Sequence, residues 1–168
     1  MVFLHTTDFS VHWPHCSVEK LNEVINFLGG TNYVNRNDCT RIFEACETGK
    51  GWDGCKGYCH EGATFSAQAD ALADVSTLEG YADWMKGLLT PVPDGHYELK
   101  SFSTDVDRGV VTAFAVFHGT HSVDGPVPAT GNKVVADYVY AMEFDGDKVR
   151  HMIKIWNDGH SLKQLGWA

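Results

Sequence analysis

The chain has 168 residues, 43% hydrophobic and 21% charged, proportions that suit one globular domain with room for a core. Its 13 basic against 22 acidic residues leave a net charge of −9, which repels phosphate backbones and anionic lipid, so neither nucleic acid nor membrane is an expected partner. The sequence holds no run of about 18 apolar residues, and its opening MVFLHTTDFSVHW lacks the basic and long apolar regions of a secretory signal; a cytoplasmic location is the expectation.

Residues 1–16 show no period and read as an N-terminal arm on a single domain spanning 1–168. Ser17 then precedes VEKLNEVINFLGG, where Val18, Leu21, Ile25 and Leu28 share a helical face and Gly29 supplies the stop. NYVNRNDCTRIFEACE predicts a second helix with Val34, Ile42, Phe43 and Cys46 turned inward. The glycine-rich TGKGWDGCKGYCHEG reads as a loop or broken helical turn, and ATFSAQA as a short strand. Ser76 and Glu79 have the spacing of a capping box. They open TLEGYADWMKGLL, whose stripe is Leu78, Tyr81, Met85 and Leu88, and TPVPDG ends it.

Four strands follow: HYELKSFSTDV, GVVTAFAVFHGTH, KVVADYVYAMEF and KVRHMIKIWN, with tight turns at DRG and DGD. Helices first and a meander after predict an α+β fold, with helices packed on one face of a strongly curved, mostly antiparallel sheet. Such a cone encloses a hollow suited to a small molecule.

Cys16, Cys39, Cys46, Cys55 and Cys59 all lie in the first 60 residues and read as small apolar fillers or free thiols. Cys55, Cys59 and His60 depart from the haem-attachment spacing, and His12, His15 and Cys16 do not complete a zinc set. Trp52, Tyr58 and the cysteines are expected to close the helical end of the core. No nucleophile elbow, phosphate loop or dinucleotide fingerprint is present, so neither metal nor cofactor is expected.

The segment FHGTHSVDGPVPATG, residues 117–131, carries His118 and His121 at the end of one strand, and Asp137 interrupts the next. Two alternatives stand. In one, Val134, Ala136, Tyr138, Tyr140, Met142 and Phe144 form the core face and Asp137 sits with Glu143 on a solvated outer face. In the other, the strand register brings His121 opposite Asp137, with β-carbons about 5 Å apart. A carboxylate beside an imidazole in a dry cavity is a proton-transfer pair. Trp84 and Trp156 are candidates to line a cavity for a flat hydrophobic ligand.

Three stretches carry a resemblance: Gly119-Thr120-His121 with Pro128-Ala129-Thr130-Gly131; Asp145-Gly146-Asp147-Lys148-Val149 with Trp156 and Asp158; and Gln164-Leu165-Gly166. Over about residues 110–168 the chain resembles the SnoaL-like polyketide and ester cyclases, within the superfamily of nuclear transport factor two and ketosteroid isomerase. It departs from that pattern in having Pro-Ala-Thr-Gly where the family has Pro-Thr-Gly. The resemblance implies a cofactor-independent cyclase or isomerase acting on a small hydrophobic carbonyl compound, polyketide-like or steroid-like. Asp137 would be its general acid/base and His121 the donor to the enolate oxygen. His118, Trp84, Trp156, Tyr81 and Tyr58 would bind substrate. A homodimer through the outer sheet face is also implied, with Tyr138 and Tyr140 toward the partner and Asp137 toward the cavity. The alternatives are a non-catalytic ligand-binding or dimerisation module and a dehydratase, for which Tyr33, Tyr58 and Tyr81 are the candidate pocket tyrosines.

Overall fold

Cys39, Ile42, Phe43 and Cys46 recur at the spacing of one helical face, and all four are buried on the first helix of the described residues, α1 (Arg36–Glu47). The computed structural model describes residues 36–168; the arm at 1–16, the helix at 18–28, Val34 and Tyr33 lie outside the described residues. α1 ends in a Schellman motif: Gly49 N–H donates to the Cys46 carbonyl, Lys50 N–H to that of Ala45, and Gly49 takes φ 66°.

The glycine-rich segment is more ordered than its composition suggests. It forms a short helix α2 (Gly51–Cys55), a 3₁₀ turn (Lys56–Tyr58), and then strand β1 (Cys59–Ala67). α3 (Leu78–Leu88) buries Leu78, Tyr81, Ala82 and Met85. Its N-cap is Thr77, whose hydroxyl accepts from Gly80 N–H at 3.1 Å, so the expected Ser76 cap lies one residue too early. Ser76 instead lends its carbonyl to Phe65 N–H on β1.

The meander is β2 (His96–Asp105), β3 (Val110–Thr120), β4 (Lys133–Asp145) and β5 (Lys148–Trp156), closed by a last helix α4 (Asp158–Leu165). The sheet order is β1-β5-β4-β3-β2; β1 joins β5 in parallel and the other pairs are antiparallel, giving the expected curved α+β sheet. Gly146, at φ 64°, makes the tight turn between β4 and β5. A bulge in β5 lets Glu143 face His151 while Phe144 faces Val149, so Val149 and Met152 both point inward. α4 is tied to β4 by Gln164, whose amide receives Val135 N–H and donates to Val135 carbonyl oxygen.

One sheet face carries Ala113, Ala115, Phe117, Val134, Ala136, Tyr138, Tyr140, Met142 and Met152, buried under the helices. Alanine stands opposite the large rings, Ala113 against Tyr140 and Ala115 against Tyr138, which makes room for them. Among the described residues no helix is long and apolar enough to cross a membrane.

Candidate functional site

β4 sends Tyr138 and Tyr140 to the inner face and Asp137 to the outer one, where Asp137 is exposed. The register decides this. Val116 pairs with Asp137, so each odd position on one strand meets an even position on the other. His121, just past β3, donates its backbone N–H to Asn132, and its side chain turns inward, fully buried. The imidazole and the carboxylate expected to face each other in a dry hollow therefore lie on opposite sides of the sheet. The companion expectation, that Tyr138 and Tyr140 look outward, is reversed for the same reason.

His118 is also on the outer face, stacked on His96 with ring centroids 5.3 Å apart and 3.8 Å from the Glu98 carboxylate. Tyr58 is half-buried against the edge of the core and does not reach the cavity described below. Trp84 and Trp156 do line that cavity, and Tyr81 lies behind its wall.

The cavity lies between the inner sheet face, α3, α4 and Trp167 near the C-terminus, and has a volume of about 40 Å³. Trp84, Leu88, Phe117, Trp156, Leu165 and Trp167 give it an apolar wall. Its polar end is made by Glu47, Tyr138 and Lys154. A more open groove, lined by Pro91, Asp124 and Gly125, shares Trp84, Leu88 and Trp167 with it.

Glu47 and Lys154 are 1% and 5% exposed, a burial that charged side chains tolerate only with partners. Glu47 accepts Tyr138 O–H at 2.5 Å on one oxygen and Tyr140 O–H on the other. Tyr140 hydroxyl, having given its proton to Glu47, accepts from Tyr81, and Tyr81 oxygen accepts Lys154 Nζ–H at 2.8 Å. The donors run in one direction: Lys154 to Tyr81 to Tyr140 to Glu47. Ring faces surround the ammonium, with Nζ 4.9 Å from the Trp156 centroid, 5.0 Å from Tyr138 and 5.2 Å from Tyr81.

Burial brings the Lys154 ammonium down to a pKa of about 8, although the negative charge of Glu47 pulls the other way. Burial, reinforced by Glu47, raises the hydroxyls of Tyr81, Tyr138 and Tyr140 above the ordinary tyrosine value, so they remain proton donors. The polar end is a connected acid/base array in an apolar pocket, able to gain or lose a proton at Nζ beside a bound molecule.

His121 serves this cavity from behind. Its Nδ1 accepts Trp167 Nε1–H at 3.0 Å and Thr130 N–H at 3.3 Å, which puts the ring proton on Nε2. Thr130 hydroxyl donates to Leu165 carbonyl oxygen at 2.8 Å, so the loop, the histidine and the tail brace one another.

Glu47 and Lys154 escaped the sequence reading, yet each had a signal. Glu47 falls four residues after Phe43, on the buried stripe of α1. Lys154 lies two residues from both Met152 and Trp156, on the inward alternation of β5. A charge placed on a buried period marks a candidate site.

The sequence pattern that defines the SnoaL-like domain matches residues 39–152. No curated protein matches the chain in sequence. Among solved structures, the chain is similar to AclR, a candidate hydroxylase of Streptomyces galilaeus, at 20% identity and TM-score 0.63, over 79% of this chain and 85% of that one. It is similar to IdmH, a candidate polyketide cyclase of Streptomyces antibioticus, at 18% identity and TM-score 0.64, over 77% and 96%. A candidate polyketide cyclase of Acidithiobacillus ferrooxidans gives 17% identity and TM-score 0.65, over 83% and 99%. At these identities the likeness is one of fold.

Proposed function

Because the chain belongs to the SnoaL-like domain family, we propose that it is a cofactor-independent enzyme of cyclase type, moving protons on a hydrophobic carbonyl compound held in the tryptophan-lined cavity. The names of the similar structures support a cyclase-type reading. The observation that carries the chemistry is Lys154: a buried amine on the cavity wall, joined through two tyrosines to a buried carboxylate.

Passing one proton along the chain from Lys154 to Glu47 leaves a neutral amine and a carboxylic acid, with no tyrosinate between them. The amine takes the proton next to the substrate carbonyl, and the ammonium so formed stands beside the developing enolate. If the enolate carbon attacks a second carbonyl of the same molecule, the ring closes and the new alkoxide takes the proton back from Lys154. If the enolate is reprotonated at another carbon, the product is an isomer. Both outcomes balance without an oxidant or metal.

The test is α-hydrogen exchange on 2-acetylnaphthalene in D₂O, followed by NMR, with ligand binding read from tryptophan quenching. The wild type should exceed buffer, and Lys154→Met should lose about 100-fold or more of the exchange while still binding the ketone. Asp137→Asn should leave the exchange unchanged. Equal rates in wild type and Lys154→Met would end the proposal.

A further inference from the structure

We infer that Lys154 is a covalent catalyst: its amine forms an iminium with the carbonyl carbon of the molecule in the cavity. This rests on the reading of that cavity as the reaction site and changes the means by which Lys154 acts. Three observations carry it. Lys154 lines an apolar cavity, and of its three Nζ protons one is committed to a side-chain hydrogen bond, that to Tyr81. The hydrogen-bond chain through Tyr81 and Tyr140 gives that proton a defined destination on Glu47, so a nucleophilic lone pair can be exposed without water. The ring faces around Nζ, with Glu47 beyond them, suit a fixed positive charge at this point, and an iminium nitrogen keeps the charge where the ammonium held it.

The step balances. Lys154 ammonium passes one proton through the tyrosines to Glu47. The amine pair attacks the carbonyl carbon, an N–C bond forms, and the C=O π pair moves to oxygen. That oxygen takes a proton from nitrogen, giving the carbinolamine. Glu47 returns its proton to the hydroxyl, the C–O bond breaks, and water leaves as the nitrogen pair closes C=N. Ammonium plus ketone has become iminium plus water, with one positive charge on each side. The iminium then draws electrons from the neighbouring carbon, and Glu47, again a carboxylate on the cavity wall, accepts the α-proton. A purely proton-shuttling lysine never breaks the C–O bond.

That difference sets the experiment. The full chain is incubated with 2-acetylnaphthalene in D₂O and, separately, in H₂¹⁸O, and ketone mass is followed; a third sample receives sodium cyanoborohydride and is peptide-mapped. The expected result is ¹⁸O incorporation keeping pace with deuterium, and a reduced adduct on the peptide containing Lys154. Lys154→Arg, which keeps the charge but cannot form the bond, should lose the adduct and at least tenfold of the ¹⁸O exchange while retaining the wild-type circular dichroism. Deuterium uptake without ¹⁸O, or an adduct confined to other lysines, overturns the iminium and leaves proton transfer standing. Neither isotope entering the ketone overturns both.

Discussion

Lys154 holds its charge against a desolvation cost that depends on pH. Its folded pKa of about 8 lies below the 10.5 of an exposed lysine. Below pH 8 both folded and unfolded chains carry the proton and the cost is present in full. Between 8 and 10.5 the unfolded chain binds more protons than the folded one, so stability contributed at this residue rises with pH. The tyrosines work in the opposite sense: their raised values mean that, above the ordinary tyrosine pKa, the folded chain holds protons the unfolded one has lost. Cys59, pushed up to about 12 by burial, does the same above 9. Comparison with Lys154→Met cancels the background. From pH 7 to pH 10 the wild type should gain roughly 2 to 3 kcal/mol in unfolding free energy relative to the variant. Urea unfolding at half-unit pH steps reads the difference, and parallel curves would mean that the amine is not desolvated.

α3 delivers Tyr81 and Trp84 to the site, so its first turn fixes more than helix length. Thr77 caps it by accepting Gly80 N–H, while Ser76 faces β1 through its backbone. Thr77→Ala should therefore cost about 1 kcal/mol, whereas Ser76→Ala should change stability by less than about 0.5. Urea midpoints at unchanged m-value measure both, and the reverse order would restore the capping box at Ser76 and Glu79. The one-residue shift shows what a sequence discloses about elements. Period 3.6 over Leu78, Tyr81 and Met85, and period 2 along the four strands, are repeated signals and survive local error. A cap is one hydroxyl, and Ser76 and Thr77 offer two. Helix α4 and the parallel pairing of β1 went unread because an eight-residue helix and an edge strand bury too little to print a period. The site was lost to register. The connection over residues 121–132 is too long for turn geometry to set the pairing, and a slip of one residue exchanges Asp137 for Tyr138 on the inner face.

Among the described residues, the outer sheet face carries exposed apolar side chains. The register aligns Phe114, Val139 and Ile155 in one row across β3, β4 and β5, and Thr112, Ala141 and Ile153 in the next. Ile155 is 64% exposed and Val135, on the same face, 52%. We propose that this apolar row, on a sheet with helices on its other side, takes a second copy of the chain; a two-fold pairing would cover it in both at once. Charge opposes that pairing, since each chain carries −9. Salt screens the repulsion and leaves apolar burial intact, so dimerisation should strengthen as ionic strength rises, the reverse of an interface held by ion pairs. Sedimentation velocity on the 18.6 kDa chain should show a dimer whose dissociation constant falls between roughly 0.05 and 0.5 M salt. Ile155→Glu places a carboxylate in the row and should yield the monomer at both ends of that range. Because Ile155 points away from Lys154 on the same strand, the cavity should bind 2-acetylnaphthalene as before. A dimer that persists in Ile155→Glu would move the interface to another face, and a wild-type monomer at high salt would remove it.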